Sequence, residues 1–223
     1  MTEAEQVPWP PEEWQAMQSQ ALAWRAKLRA RSDAGTLFLL DGASCSGKST
    51  LVERLIGDPT LPIDLIPRCS TRARRPDDRR EYLFVSREEF VSMARAGAFI
   101  EYRDFRFGMS YGLPWADAFA PLLAGRHGLA VINLGNVRHV KTLLPEAVTV
   151  LVDAPLATIR QRLIGRGVNT PEQIDERLAN AARVDGYRPY YDYIVRNEDG
   201  TLTAAQDFLR TLVLSRTPHT TSG

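Results

Sequence analysis

The apolar positions of this chain fall into short unbroken runs that alternate with amphipathic stretches. Leu37-Phe38-Leu39-Leu40 is a run of strand length, and after a glycine-bearing loop Ser49 to Ile56 carries apolar residues at helical spacing until Gly57 and Pro59 end it. Further runs at Ile63 to Ile66, Leu129 to Leu134 and Val148 to Val152, with a weaker one at Tyr193 to Val195, predict strands. Between them, Trp115 to Ala124, Leu156 to Ile164, Pro171 to Ala182 and Leu202 to Leu214 predict helices. Strands that are apolar throughout and alternate with helices imply a parallel sheet covered on both faces, the α/β class. Residues 72–112 break the rhythm with Tyr82-Leu83-Phe84-Val85, a helix from Arg87 to Ala96 and a strand from Ala98 to Tyr102, the pattern of a small inserted subdomain.

Residues 1–35 read as a separate piece. Pro8, Pro10 and Pro11 precede a helical stretch in which Trp14, Met17, Ala21, Trp24 and Leu28 recur three and four apart and so form one apolar face. Packing of that face on the body of the same subunit is the favoured reading, and a homodimer formed through it is the second. The main domain is expected over 36–215. The tail 216–223 has little to bury and is expected to be disordered.

Composition narrows the function classes. A chain of 223 residues with 44% hydrophobic content and a formal charge of +1 suits one sizeable globular domain, with no global signal for a nucleic-acid or membrane partner. It has no apolar stretch of about 18 residues, and Thr2, Glu3 and Glu5 stand where a secretory signal carries basic residues, so a cytoplasmic protein is expected. Cys45 and Cys69 are too few for a disulfide framework or a cysteine-based zinc site, and His127, His139 and His219 lack metal-ligand spacing.

The chemistry begins at Gly42-Ala43-Ser44-Cys45-Ser46-Gly47-Lys48-Ser49, which satisfies G-x-x-x-x-G-K-[ST] with an apolar strand before it and a helix after it. Glycines allow successive backbone N–H groups to converge on phosphate oxygens, and a helix N-terminus adds its positive dipole end. Gly42, Ser44, Ser46, Gly47, Lys48, Ser49 and Thr50 are the expected contacts to the phosphates of ATP, with Lys48 at the β- and γ-phosphates and the Ser49 hydroxyl on Mg²⁺. Downstream lies Arg68-Cys69-Ser70-Thr71-Arg72-Ala73-Arg74-Arg75-Pro76, an arginine cluster suited to an acceptor that already carries a phosphate.

Over nearly all of residues 37–214 the chain resembles the guanylate kinase family. Ser70-Thr71-Arg72-Ala73-Arg74-Arg75 follows the family's T-T-R-x-P-R, Tyr82-Leu83-Phe84-Val85 its Tyr-x-Phe-Val, Phe99-Ile100-Glu101 its Phe-x-Glu, and Tyr111-Gly112 its Tyr-Gly. Arg162-Leu163-Ile164-Gly165-Arg166-Gly167, Arg177-Leu178 and Tyr191-Asp192-Tyr193-Ile194-Val195-Arg196-Asn197 follow in the family's order. The resemblance implies a P-loop NTPase three-layer fold with an acceptor-binding insert and a helical lid over 155–185. It implies that Arg72, Arg75, Tyr82 and Tyr111 hold the acceptor phosphate and that Glu101 accepts hydrogen bonds from a base. Arg166 and Arg177 would act with Lys48 on the transferring group, and Arg162 and Asn197 would lie on the ATP side.

Four positions depart from the family pattern. Arg68 stands in place of a serine, Leu113 in place of a hydroxyl residue after Tyr-Gly, and Asn133 and Gly135 in place of the two acids of an L-D-x-D segment. Asn133 is also a feature of the ribose 1,5-bisphosphate phosphokinases, which the chain resembles in part, and Arg68 would suit a second phosphate or a carboxylate on the acceptor. The expected activity is phosphoryl transfer from ATP to a small phosphorylated acceptor, a nucleoside monophosphate first and a sugar phosphate second. A non-catalytic guanylate-kinase-like interaction module is the third reading.

Overall fold

Alternate side chains of the first strand, β1 (Leu37–Asp41), point to opposite faces of a sheet and enter two different cores. Leu37 and Leu39 join one cluster, while Phe38 and Leu40 join another. All four are almost wholly buried, which is why the run is apolar rather than alternating. The computed structural model describes residues 9–74, 78, 81–104, 108–167 and 169–216. Arg75 and the expected tail beyond Arg216 lie outside the described residues.

After an N-terminal helix α1 (Pro11–Arg29) and β1 come α2 (Lys48–Ile56), β2 (Ile63–Leu65), β3 (Arg68–Ser70), β4 (Tyr82–Phe84), α3 (Arg87–Arg95), β5 (Phe99–Asp104) and β6 (Ser110–Pro114). The chain continues with α4 (Trp115–Leu123), β7 (His127–Val131), α5 (Val137–Leu143), β8 (Val148–Asp153), α6 (Leu156–Gly165) and α7 (Pro171–Ala182). A 3-10 segment (Arg183–Tyr190), β9 (Tyr193–Arg196) and α8 (Leu202–Leu214) complete it. The main sheet has the order β2-β7-β1-β8-β9 and all its pairings are parallel. One of its faces is covered by α2 and α8 through Leu51, Leu55, Leu209 and Val213, the other by α1, α4 and α5 through Met17, Phe119 and Val140. Helices on both faces of a parallel sheet are the expected α/β architecture. Because β7 and β8 flank β1 on opposite sides, the strand order reverses there, and the crevice at the carboxyl end of β1 is where ligands of such sheets bind.

A second sheet, ordered β4-β3-β6-β5, is mostly antiparallel and lies between β2 and α4 in the chain. It begins at Arg68 and ends at Pro114, rather than at 72 and 112, because Arg68–Ser70 pairs with β4 and β6 instead of continuing β2. Its own small core joins Cys69, Phe90, Ala94 and Phe99, with the Phe90 and Phe99 rings stacked at 4.7 Å. A capping box between Ser86 and Glu89 starts α3.

The α1 stripe is buried against its own chain. Met17 and Ala21 are buried, Trp14, Trp24 and Leu28 pack on the same cluster, and Trp24 lies 5.3 Å from Phe119 of α4. Before the helix, Trp9 Nε1 donates to the carbonyl of Tyr102 at 3.0 Å, and within it Glu13 accepts from the Tyr102 hydroxyl. The helix therefore touches α4 and α5 of the main layers and α3 and β5 of the second sheet. The stripe's apolar side chains have partners in their own chain, the first of the two readings, and this packing gives no support to a homodimer through it. His127 Nδ1 accepts from the Thr36 N–H at 2.9 Å and His139 packs edge-on to Trp9 and Trp14, so both serve packing.

Candidate active site

The loop from Gly42 to Gly47 joins β1 to α2 and turns too tightly for side chains at two places. Gly42 has φ +147° and a Cβ there would lie 2.3 Å from the Val152 carbonyl oxygen; Gly47 has φ +99° and a Cβ would lie 1.9 Å from Asn197 Nδ2. Cys45 also takes a left-handed conformation, with φ +64°. Asn197 fixes the loop from outside by donating Nδ2 to the Ser46 carbonyl at 2.7 Å. Arg162 Nη1 donates to the Cys45 carbonyl at 3.3 Å and its Nη2 to the Asn197 carbonyl at 3.2 Å. Ser46 Oγ is buried without a partner, and the α2 N-terminus opens on the same loop. A cradle of this kind, with an orphan hydroxyl beside a helix N-terminus, fits a polyphosphate.

Lys48, the first residue of α2, folds its ammonium back over the loop and donates to the carbonyls of Gly42 at 2.5 Å and Ala43 at 2.7 Å. Burial pulls its pKa down from 10.5 to about 8, against the opposing pull of the Asp41 carboxylate. Asp41 ends β1 with no exposed surface, accepts from the Gly42 N–H at 2.6 Å and the Tyr191 hydroxyl at 2.5 Å, and is raised by burial from 3.8 to about 6. Two pH effects follow. As pH rises through about 8 the free enzyme's Lys48 loses its proton, so kcat/KM for the triphosphate falls along that limb. Between the ordinary carboxylate value of 3.8 and about 6 the folded protein holds a proton on Asp41 that the unfolded chain has released. Stability from that proton is complete below this window and lost as pH rises through it. Asp41→Asn is expected to raise the melting temperature at pH 7 by roughly 5 °C, flatten that slope, and move the activity limb to lower pH because Lys48 loses its anion. Thermal scans and rate profiles across pH 4 to pH 9 would show a wild-type slope in the variant if Asp41 did not titrate this way.

The lid helices α6 and α7 pack directly on the loop: Ile159, Leu163 and Ile174 share a cluster with Ala43 and Cys45. A capping box between Thr170 and Gln173, with Pro171 at the first helical position, sets where α7 starts. That register brings the Arg177 guanidinium to the Ser44 hydroxyl, 3.0 Å from Nη1. Arg166, at the end of α6, is exposed and close enough to Lys48 to depress its pKa. Arg166, Arg162, Thr50 and Asn197 line a cavity of about 590 Å³ on the outer side of the loop.

A second cavity, of about 510 Å³, lies between α2 and the second sheet and is lined by Lys48 and Ser49 on one side and Arg68 and Tyr82 on the other. Arg72 lies beside it, with its guanidinium 4.7 Å from the centroid of the Tyr82 ring and paired with the Asp78 carboxylate, one bond of the pair being 2.7 Å. Tyr82 and Tyr111 face each other edge-on at 5.9 Å. Glu101 is fully buried. Its Oε1 accepts from Arg68 Nη2 at 2.8 Å, and its Oε2 accepts from Asn133 Nδ2 and Asn136 Nδ2, both at 2.7 Å.

The structure thus gathers Gly42, Ser44, Ser46, Gly47, Lys48, Ser49, Thr50, Arg162, Arg166, Arg177 and Asn197 around the loop, and Arg68, Arg72, Tyr82 and Tyr111 around the acceptor side. Glu101 and Asn133 lie beside this group, hydrogen-bonded to each other, with Glu101 fully buried. Asn136, Asp41 and Asp78 stand outside the motifs read from the sequence, and Tyr191 opens one of those motifs without a role of its own. Asp41 carried one signal, an acid closing an apolar run directly before the loop; the other three are joined to their partners only by folding.

The sequence model described as guanylate kinase matches residues 34–212. The chain is 36% identical over 168 residues to a guanylate kinase of Hahella chejuensis, covering 74% of this chain and 80% of that one. It is 37% identical over 172 residues to the guanylate kinase of Corynebacterium diphtheriae, covering 74% and 88% respectively. Among solved structures, the guanylate kinase of Anaplasma phagocytophilum superposes with a TM-score of 0.62 at 22% identity, over 85% of this chain and 89% of that one, and shares its P-loop NTPase fold. With loop, lid and acceptor sheet in this order, and with a family match across most of its length, the chain belongs to the guanylate kinase family.

Proposed function

We propose that this chain is an ATP- and Mg²⁺-dependent nucleoside monophosphate kinase whose acceptor is GMP. The observation that carries the reading is the single cavity that Lys48 and Ser49 share with Arg68 and Tyr82, where a donor and an acceptor phosphate can meet. ATP supplies the activated phosphoryl group, and Mg²⁺ offsets the charge that builds on its oxygens. Gly42, Ser44, Ser46, Gly47, Lys48 and Thr50 would hold the triphosphate, the Ser49 hydroxyl the metal ion, and Arg162 with Asn197 the adenosine side. Lys48 keeps a cation at the loop, while Arg166 and Arg177 bring two more from the lid, where a loose and multiply charged transition state gains most from them.

On the acceptor side Arg72, Tyr82 and Tyr111 would take the phosphate, with Arg75 assigned from the sequence alone. Arg72 then exchanges the Asp78 carboxylate for the phosphate, which likewise offers the guanidinium two oxygens to bind side by side. A cytoplasmic setting belongs to the same proposal; among the described residues no helix is long and apolar enough to cross a membrane. A coupled ADP-release assay with GMP, CMP, UMP and ribose 1,5-bisphosphate tests it. GMP is expected to be turned over at least about tenfold better than either pyrimidine nucleotide. Turnover of the sugar phosphate with none of the nucleotides would replace the acceptor class, and absence of ATP binding by calorimetry with Mg²⁺ would replace the catalytic reading itself.

A further inference from the structure

A third cavity, of about 590 Å³, opens where the N-terminal extension meets α3, β5, α5 and the 3-10 segment. It shares no lining residue with the two cavities described above. Trp9, Pro10 and Glu13 of its wall precede residue 34, where the family match begins, so the extension completes a cavity that the matched domain alone does not enclose. Charge around it is uneven. Arg95, Arg103 and Arg183 line it against Glu13 and Asp104, but Asp104 is already paired with Arg87 at 2.7 Å and Glu13 accepts from the Tyr102 hydroxyl. Arg95 and Arg183 are exposed, and among the described residues neither guanidinium is hydrogen-bonded or paired with an acid. Burial holds His139, also in the wall, below its ordinary pKa of 6.5 and so uncharged at neutral pH. The balance favours an anion, and guanidinium groups take phosphate oxygens through paired, charge-assisted hydrogen bonds. A bare inorganic anion would fill little of this space, which falls in the range of about 300–1,000 Å³ that holds small organic ligands. Ring surface is at hand. Tyr102 and Tyr187 are half-buried, and Trp9 and Phe90 stand beside Tyr102 with ring centroids 5.8 and 5.9 Å away.

We propose that this cavity is a binding site for a small phosphorylated ring compound, separate from the ATP and acceptor sites, with Arg95 and Arg183 supplying the cations for its phosphate and Tyr102 and Tyr187 the surface for its ring. The inference goes beyond the kinase reading and does not rest on it. A phosphate monoester is close to a dianion at pH 7, and here it meets two guanidinium groups that need release no partner to bind it. Arg72, by contrast, must first give up Asp78. Arg103 closes the wall between β5 and the loop after β7, giving Nη1 to the Leu134 carbonyl at 3.2 Å.

The test is calorimetric titration of the full chain with phenyl phosphate, which joins one ring to one phosphate, beside inorganic phosphate alone. Phenyl phosphate is expected to bind with a Kd below about 1 mM, and inorganic phosphate at least about fivefold more weakly. Replacing Arg95→Ala together with Arg183→Ala is expected to weaken phenyl phosphate by about tenfold or more, whereas Lys48→Ala and Arg72→Ala, which alter the phosphate loop and the acceptor side, change it by less than about twofold. Both cavity arginines are exposed, so their double variant is expected to melt within about 2 °C of the wild type. Tyr187→Leu gives an independent reading: phenyl phosphate is expected to weaken about threefold while inorganic phosphate is unchanged, a split that a general loss of structure would not produce. Binding lost in Lys48→Ala or Arg72→Ala but kept in the double arginine variant would put the probe in the catalytic cleft and overturn the inference, as would no binding below about 10 mM. Equal affinity for the two probes, or a Tyr187→Leu enzyme that binds both as before, overturns it as well.

Discussion

Replacing Lys48 by alanine is expected to lower kcat by about a thousandfold or more with every acceptor, because it removes the cation that the loop–helix junction itself carries. The ammonium reaches the carbonyls of Gly42 and Ala43 in the loop and shares a cavity with the acceptor-side Arg68 and Tyr82, so no lid closure is needed to bring it to the transferring group. Arg166 and Arg177 are exposed side chains on the lid and cannot replace it in position, although they carry the same charge. Arg72→Ala provides the contrast: its effect is expected chiefly in the acceptor KM, by about tenfold or more, with kcat less changed. Single-turnover rates with saturating ATP separate the two. An Arg72→Ala enzyme with wild-type KM and kcat would show that the acceptor phosphate binds elsewhere, and a Lys48→Ala enzyme retaining a tenth of its rate would remove Lys48 from the chemistry.

The second large effect is on stability. Glu101→Ala strips the largely buried Arg68 guanidinium of its carboxylate, takes the acceptor at 2.7 Å from the half-buried Asn133 amide, and leaves the Asn136 amide only the Tyr102 carbonyl at 3.5 Å. Removing one partner of a buried ion pair costs about 3–5 kcal/mol, which for a chain of this size lowers the melting temperature by roughly 10 °C. Replacing both charges together, as Arg68→Met with Glu101→Met, is expected to recover most of that loss, since two apolar side chains leave no uncompensated charge. Urea midpoints for the single and double variants measure this directly. A cost below about 1 kcal/mol for Glu101→Ala would mean that the Arg68–Glu101 pair does not hold the cluster together.

How far this could be read from the sequence depended on whether a feature was local. The phosphate loop is eight contiguous residues between a strand and a helix, so its chemistry and placement were both legible. The bounds of α7 were legible too, because Thr170, Pro171 and Gln173 cap it within one turn. By contrast β3, three residues long and carrying Arg68, has no periodicity of its own and is a strand only because β4 and β6 pair with it. The same step hid the cluster at Glu101. Arg68 and Glu101 lie 33 residues apart in sequence, and Asn136 another 35 beyond Glu101. Nothing in their spacing indicates that the arginine neutralises the carboxylate. Read singly, Arg68 suggested a site for a further anion; read with its partners, it is half of a neutral pair.

The N-terminal helix acts as a splint between the two sheets. It rests on α4 and α5 on one side and on α3 and β5 on the other, and it is fastened to the second sheet by Trp9 and Glu13 at Tyr102, the residue after Glu101. Any rotation of the acceptor sheet against the main sheet must either carry this helix along or slide across it. The extension therefore ties the acceptor sheet to the main layers through contacts that lie outside both cavities of the site.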